Sequence, residues 1–139
     1  MKKTRAMKTS RGFSLIELFI VVGLIGAISM FAFGYYTDSV IASNRTEARS
    51  TLSEAAGALE KCRSLYGAYN SGNCTVAFPM LSETNLYAVT VTAIAAETFT
   101  LQADPIPGSS QANDADCTRL SLTNTGLKTA TGGDPTQCW

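Results

Sequence analysis

The residue whose position most needs a chemical explanation is Glu17, the single formal charge in the 21 residues from Phe13 to Phe33. At about 1.5 Å rise per residue, a helix of this length matches the roughly 30 Å hydrocarbon core of a bilayer. A carboxylate in such a span costs on the order of 2.5 kcal/mol or more at the bilayer centre, so Glu17 needs a partner. The other reactive groups are four cysteines, Cys62, Cys74, Cys117 and Cys138, all beyond the apolar run. The chain has no histidine, which removes Ser-His-Asp and Cys-His nucleophiles. No phosphate-binding glycine loop precedes a helix, and no Gly-x-Gly-x-x-Gly follows a strand. An enzyme therefore finds no support, and neither a catalytic residue nor a cofactor is expected. Asp104, Asp114 and Asp116 have the chemistry for a Ca²⁺ site with nearby carbonyls, but acidic loop residues are ordinarily solvated, and no metal site is assigned.

Charge sorts these groups by compartment. The 139 residues sum to zero, yet Lys2, Lys3, Arg5, Lys8 and Arg11 are five of the eleven basic residues. A basic segment ahead of an apolar span stays in the cytoplasm, which puts the cysteines on the oxidising side of a bacterial inner membrane. Two disulfides are expected there. Four cysteines allow three connectivities; Cys62–Cys74 and Cys117–Cys138 are favoured because each closes a local loop containing turn-forming residues. Neither spacing supplies the short Cys-x-x-Cys of a zinc ribbon. Residues 13–139 carry six basic and eleven acidic side chains, a net charge of −5. General nucleic-acid binding is not expected from that balance, although a local cluster around Arg119 and Lys128 stays open.

The elements that must position these groups follow from periodicity. Ile41, Ala48, Leu52, Ala55, Leu59, Cys62 and Tyr66 recur at steps of seven, four and three, one face of a helix, with Glu47, Glu54 and Lys61 on a polar counter-face. One helix from Phe13 to about Leu65 is predicted, roughly 80 Å long at the α-helical rise. The charges Arg45, Glu47, Arg49, Glu54 and Glu60 read as its solvated face. Gly23, Gly26 and Gly34 interrupt the apolar part, and a kink between Gly26 and Gly34 and a straight helix remain equal alternatives. Tyr66 to Asn73 breaks the helix, and Cys74 to Asn85, with Pro79 and no clear period, reads as a loop. Alternation of period two over Tyr87 to Ile94 and Thr98 to Ala103 predicts a hairpin, with a third strand at Thr118 to Thr123. Asp104 to Asp116 reads as a loop and Thr125 to Trp139 as an irregular tail held by Cys138. The fold class is α+β: one long N-terminal helix, its first half transmembrane, on a small antiparallel sheet of about three or four strands.

On physical grounds alone the basic leader and apolar span make an uncleaved signal anchor. The leader has no apolar h-region of its own, so any cut must precede the apolar run, unlike an ordinary secretory signal. The run Arg11-Gly12-Phe13-Ser14-Leu15-Ile16-Glu17-Leu18, however, resembles the class III signal of type IV pilins and pseudopilins, closely over about residues 8 to 45. The resemblance implies cleavage by a prepilin peptidase between Gly12 and Phe13, N-methylation of Phe13, and a filament-assembly role for Glu17. Its carboxylate would neutralise the new amino terminus of a neighbouring Phe13, two expensive charges becoming cheaper as a pair. Gly34 departs from the family, which usually has a proline there.

The domains implied are a cleaved leader over 1–12, a transmembrane and polymerisation helix over 13–34, an amphipathic continuation over 35–66 and a disulfide-stapled β domain over 67–139. The function implied is a structural subunit of a type IV pilus, a minor rather than the major pilin. The alternatives are a pseudopilin of type II secretion and a pilus-borne binding module for DNA or a surface ligand. Expected partners are other pilin subunits, the prepilin peptidase, the inner-membrane assembly machinery and, before assembly, membrane lipid. The expected location is the inner membrane with a periplasmic C-terminal domain, then the extracellular filament.

Overall fold

The computed structural model describes residues 12–139; the basic leader residues Lys2 to Arg11 lie outside this range. The first element is a helix, α1, over Leu15–Tyr66. It is assigned without interruption through Gly26 and Gly34, so neither glycine breaks it. The chain divides into two compact units, one up to Thr37 and one over Asp38–Trp139.

In the first unit every side chain from Gly12 to Phe31 is exposed. The segment is long and apolar enough to cross a membrane. None of its own described residues buries it, in contrast with the apolar core of a water-soluble helix. Ser29 Oγ donates to the Ile25 carbonyl at 2.7 Å and Thr37 Oγ1 to the Gly34 carbonyl at 2.8 Å, the local bonding by which a hydroxyl is accommodated in an apolar helix.

The second unit joins the later turns of α1 to a five-stranded sheet. Its strands are β1 (Met80–Leu81), β2 (Tyr87–Ile94), β3 (Phe99–Pro105), β4 (Arg119–Thr123) and β5 (Lys128–Thr131), all antiparallel in the order β1-β2-β3-β4-β5. Alternation places Tyr87 and Val89 of β2, Phe99, Leu101 and Ala103 of β3, and Leu120 and Leu122 of β4 on one buried face. Ala48, Leu52, Ala55 and Leu59 of α1 complete this core. From Ala48 to Cys62 the helical stripe is buried as its spacing predicts, whereas its two ends fall outside the core: Ile41 is only partly buried and Tyr66 is exposed. That side chain is 47% exposed, because the helix ends there and the chain departs at Gly67, whose φ of 80° suits glycine. Tyr69 takes the place instead, edge-on to Phe99 with centroids 4.9 Å apart.

Two strands were not expected from periodicity. The two-residue β1 pairs Met80 with Val89, and β5 pairs with β4 from Arg119↔Thr131 to Leu122↔Lys128. The sequence Lys128-Thr129-Ala130-Thr131 has too little apolar content to announce a strand. What places it there is the turn before it, where Gly126 has φ 78°, Gly126 N–H donates to the Thr123 carbonyl and Thr123 N–H to the Leu127 carbonyl. The tail is therefore not irregular throughout.

Candidate functional site

The N-terminal candidates sit together at the start of α1. Gly12, Phe13 and Ser14 precede the first helical residue, and Leu18 N–H donates to the Ser14 carbonyl at 3.2 Å, the first bond of the helix. Glu17 lies in the first turn, where a carboxylate opposes the positive end of the helix dipole. Phe13 is 82% exposed and Glu17 is exposed as well. Among the described residues no hydrogen bond or ion pair engages the Glu17 carboxylate. Ring, carboxylate and the apolar surface of Leu15 to Phe31 are all left to a surrounding phase or another chain.

In the second unit the helix is latched to the sheet by polar groups that charge patterning assigned to solvent. Arg45 is only 6% exposed. Its Nε donates to Asp114 Oδ2 and its Nη2 to Asp114 Oδ1, both at 2.8 Å, the two-pronged geometry that makes arginine–carboxylate pairs strong. Asp116 Oδ2 adds a longer contact at 3.8 Å. Burial pushes the Asp114 carboxyl up, but the Arg45 hydrogen bond, the N–H groups of Cys117 and Asp116 and the Arg45 charge together hold it below its ordinary value. Beside this pair Gln111, fully buried, donates to Tyr87 Oη at 2.8 Å and to the Ile41 carbonyl at 3.2 Å, and accepts from Asn44 Nδ2 at 3.2 Å. Burial raises the Tyr87 phenol, while the Gln111 hydrogen bond acts the other way. Arg45 and Asp114 thus belong to neither a solvated face nor a calcium loop. Among the described residues no group of His, Cys, Asp or Glu is placed to hold a metal ion. The burial of Arg45 had a sequence signal: it stands four residues after Ile41 and three before Ala48, within the apolar stripe.

Three further members of that charge set are engaged. Arg49 Nε donates to the Cys138 carbonyl at 2.8 Å. Glu47 accepts from Thr84 Oγ1 at 2.8 Å and more weakly from its N–H. Glu60 accepts from Tyr69 Oη at 2.6 Å. The structure joins Cys62 to Cys74 and Cys117 to Cys138, with Cα–Cα distances of 5.4 and 5.6 Å, within the range a disulfide requires. The second bridge is sealed at both ends, whereas Cys62 keeps 7% exposure and Cys74 is only partly buried. Arg119 pairs with Asp104 through Nε at 2.6 Å, and Lys128 lies over the Trp139 ring at 5.1 Å from its centroid.

A long helix with an uncovered apolar half, packed in its later turns on an antiparallel sheet and stapled by disulfides, is the architecture of a pilin. The chain belongs to the family described as "Type IV minor pilin ComP, DNA uptake sequence receptor", whose profile matches residues 35–121, more than half of its length. That match begins after the apolar run, so it is independent of the Gly12-Phe13-Glu17 motif. Among solved structures the chain is similar to the non-core minor pilin PilV of Neisseria meningitidis. The two are 25% identical with a TM-score of 0.56, over 69% of this chain and 91% of that one. No curated protein sequence matches. The chain is thus a minor pilin subunit, of a kind that associates with other pilin subunits in a pilus. Membership of a structural family agrees with the lack of sequence support for an enzyme.

Proposed function

We propose that this minor pilin is held in the inner membrane by its apolar helix, cut between Gly12 and Phe13 by a prepilin peptidase, N-methylated at Phe13 and drawn by the assembly machinery into the filament. Its C-terminal domain then faces first the periplasm and then the outside. The observation that carries the reading is Glu17 as the sole charge on an uncovered apolar helix, one turn from an exposed Gly12-Phe13 junction. In low dielectric an unpaired carboxylate is disfavoured, and a neighbouring Phe13 amino group at the same depth offsets that penalty. The domain boundaries that go with this reading are the leader 1–12, the polymerisation helix 13–34, its continuation 35–66 and the stapled domain 67–139. Mass spectrometry of sheared filaments tests it. Peptides beginning at methylated Phe13 are expected, at far fewer copies than the main subunit, and an intact leader in that fraction would refute the processing step.

A second reading, reception of DNA, is favoured by the family description. Residues 38–139 carry ten acidic and six basic side chains. Of these bases Arg45 is sealed by Asp114, Arg49 holds the Cys138 carbonyl and Arg119 is paired with Asp104. Recognition on such a surface would rest on a few base contacts rather than on counterion release. Fluorescence anisotropy with a duplex repeating the source genome's uptake sequence, against a scrambled duplex, separates the cases. DNA reception predicts a preference of at least about tenfold, each good base contact being worth about 1–3 kcal/mol; equal, weak binding of both would leave the structural role alone.

A further inference from the structure

The two disulfides differ in what surrounds them. Cys117 and Cys138 are both fully buried. The Cys62–Cys74 bridge instead borders two open clefts of the sheet-bearing unit, one at each cysteine. One, of about 290 Å³, is lined by Cys62, Lys61, Asn73 and Thr75; the other, of about 310 Å³, by Cys74, Val76, Phe78 and Ile94. We propose that Cys62–Cys74 is a thiol–disulfide exchange site for a Cys-x-x-Cys oxidoreductase, attacked at Cys74 with Cys62 as leaving group, and that Cys117–Cys138 is inert to the same reagent.

Displacement at sulfur needs the incoming thiolate, the attacked sulfur and the departing sulfur in line, with an approach on one side and room for the leaving group on the other. The paired clefts provide both. The partly apolar cleft beside Cys74 admits the partner's thiolate, and Cys62 departs on the side lined by Lys61. Lys61 is exposed and forms no ion pair among the described residues, and an ammonium nearby favours the thiolate form of a leaving cysteine. The bond from the partner's sulfur to Cys74 Sγ forms as the Cys62–Cys74 bond breaks, its electron pair leaving on Cys62 Sγ. The partner's second thiolate then attacks the mixed disulfide and expels Cys74. The partner dithiol is oxidised, the bridge is reduced, and the partner's two thiol protons end on Cys62 and Cys74. The reverse sequence, with an oxidised partner, closes the bridge.

The fold is arranged to survive this exchange. The segment between the two cysteines is held independently by Tyr69, which is buried, bonds Glu60 through its hydroxyl, meets Phe99 edge-on and donates its N–H to the Ala96 carbonyl at 3.1 Å. Opening the bridge therefore leaves the core closed over Cys117–Cys138.

The test treats the full chain in detergent, without denaturant, with dithiothreitol at pH 8, quenches with iodoacetamide and maps labelled peptides with time. Cys62 and Cys74 are expected to label at least about tenfold faster than Cys117 and Cys138, following exposure. Equal rates, or earlier labelling of Cys117, would overturn the proposal. Lys61→Gln is expected to slow opening of Cys62–Cys74 about threefold through loss of leaving-group stabilisation, with Cys117–Cys138 unchanged; an unaltered rate would refute the direction of attack. An oxidoreductase variant keeping only its nucleophilic cysteine, acid-quenched, should be recovered joined to Cys74, and recovery on Cys62 or Cys117 would contradict the assignment.

Discussion

Arg45 and Asp114 show how a single side-chain pair connects distant parts of the chain. Asp114 Oδ1 also accepts from Cys117 N–H at 3.1 Å, Cys117 is bridged to Cys138, and the Cys138 carbonyl accepts from Arg49, one turn beyond Arg45. Removing one partner of a buried pair strands the other charge, so Arg45→Ala is expected to cost about 3 kcal/mol. Arg45→Met combined with Asp114→Leu should recover much of it, because no buried charge is then left unpaired. Urea unfolding followed by the single tryptophan, Trp139, measures both. The same pair gives stability a pH dependence of definite sign. Asp114 is held below its ordinary value when folded, so its contribution is complete above the unfolded carboxyl pKa of about 3.9 and fades as the pH falls through the folded value. Wild type should therefore lose stability below about pH 4 more steeply than Asp114→Asn, and parallel curves would contradict the pairing. In the other unit, Glu17→Ala is expected to leave cleavage at Gly12 intact while lowering recovery of the subunit in filaments; unchanged recovery would exclude the proposed pairing with Phe13.

At the scale of elements, α1 and the β2–β3–β4 part of the sheet were legible because their periods are unambiguous. The stripe from Ala48 to Leu59 is helical in spacing, and β3 and the first half of β2 alternate, β2 shifting register against β3 between Val91 and Ala93. The strand β5 and the C-terminal turn were not, because what orders them is contact with other segments. Gly132 has φ 141°, and a Cβ placed there would collide with the Asp116 carbonyl oxygen, while Gly133 N–H donates to the Ala115 carbonyl. These two close approaches clamp the tail beside the sealed disulfide. Gly132→Ala is accordingly expected to destabilise by about 1–3 kcal/mol, the range for forced backbone strain. Gly57→Ala, on an exposed helical position with nothing within 4 Å of the new methyl, should stabilise by about 0.5–1 kcal/mol. Thermal melts of the two variants should move in opposite directions.

At the scale of the whole molecule the chain has two parts with opposite requirements. The core of the second unit draws its buried apolar residues from Ala48 to Cys138. A protein comprising residues 38–139 is therefore expected to fold cooperatively in water without detergent, with a urea midpoint close to that of the full chain. Non-cooperative unfolding would show that the first unit supplies part of the stability. The full chain, with Phe13 to Phe31 uncovered, should remain soluble only in detergent, lipid or a filament.

The apolar run with its lone Glu17, the amphipathic period that follows and the alternation of β2 and β3 are written locally, in residue order. Spacing and hydropathy by themselves determined that the chain has a membrane-competent helix continuing into a small α+β domain. They also determined that its only charge in the apolar run stands one turn from a Gly-Phe junction. Only the tertiary structure decided which charges on the later helix leave solvent. Arg45 meets Asp114 across 69 positions of chain and Arg49 meets Cys138 across 89. Local pattern cannot encode such pairs, because their energy depends on the low dielectric created when the sheet closes over the helix. The same closure seals Cys117–Cys138 and leaves Cys62 and Cys74 each lining an open cleft, a difference that four evenly reactive cysteines in a sequence do not display.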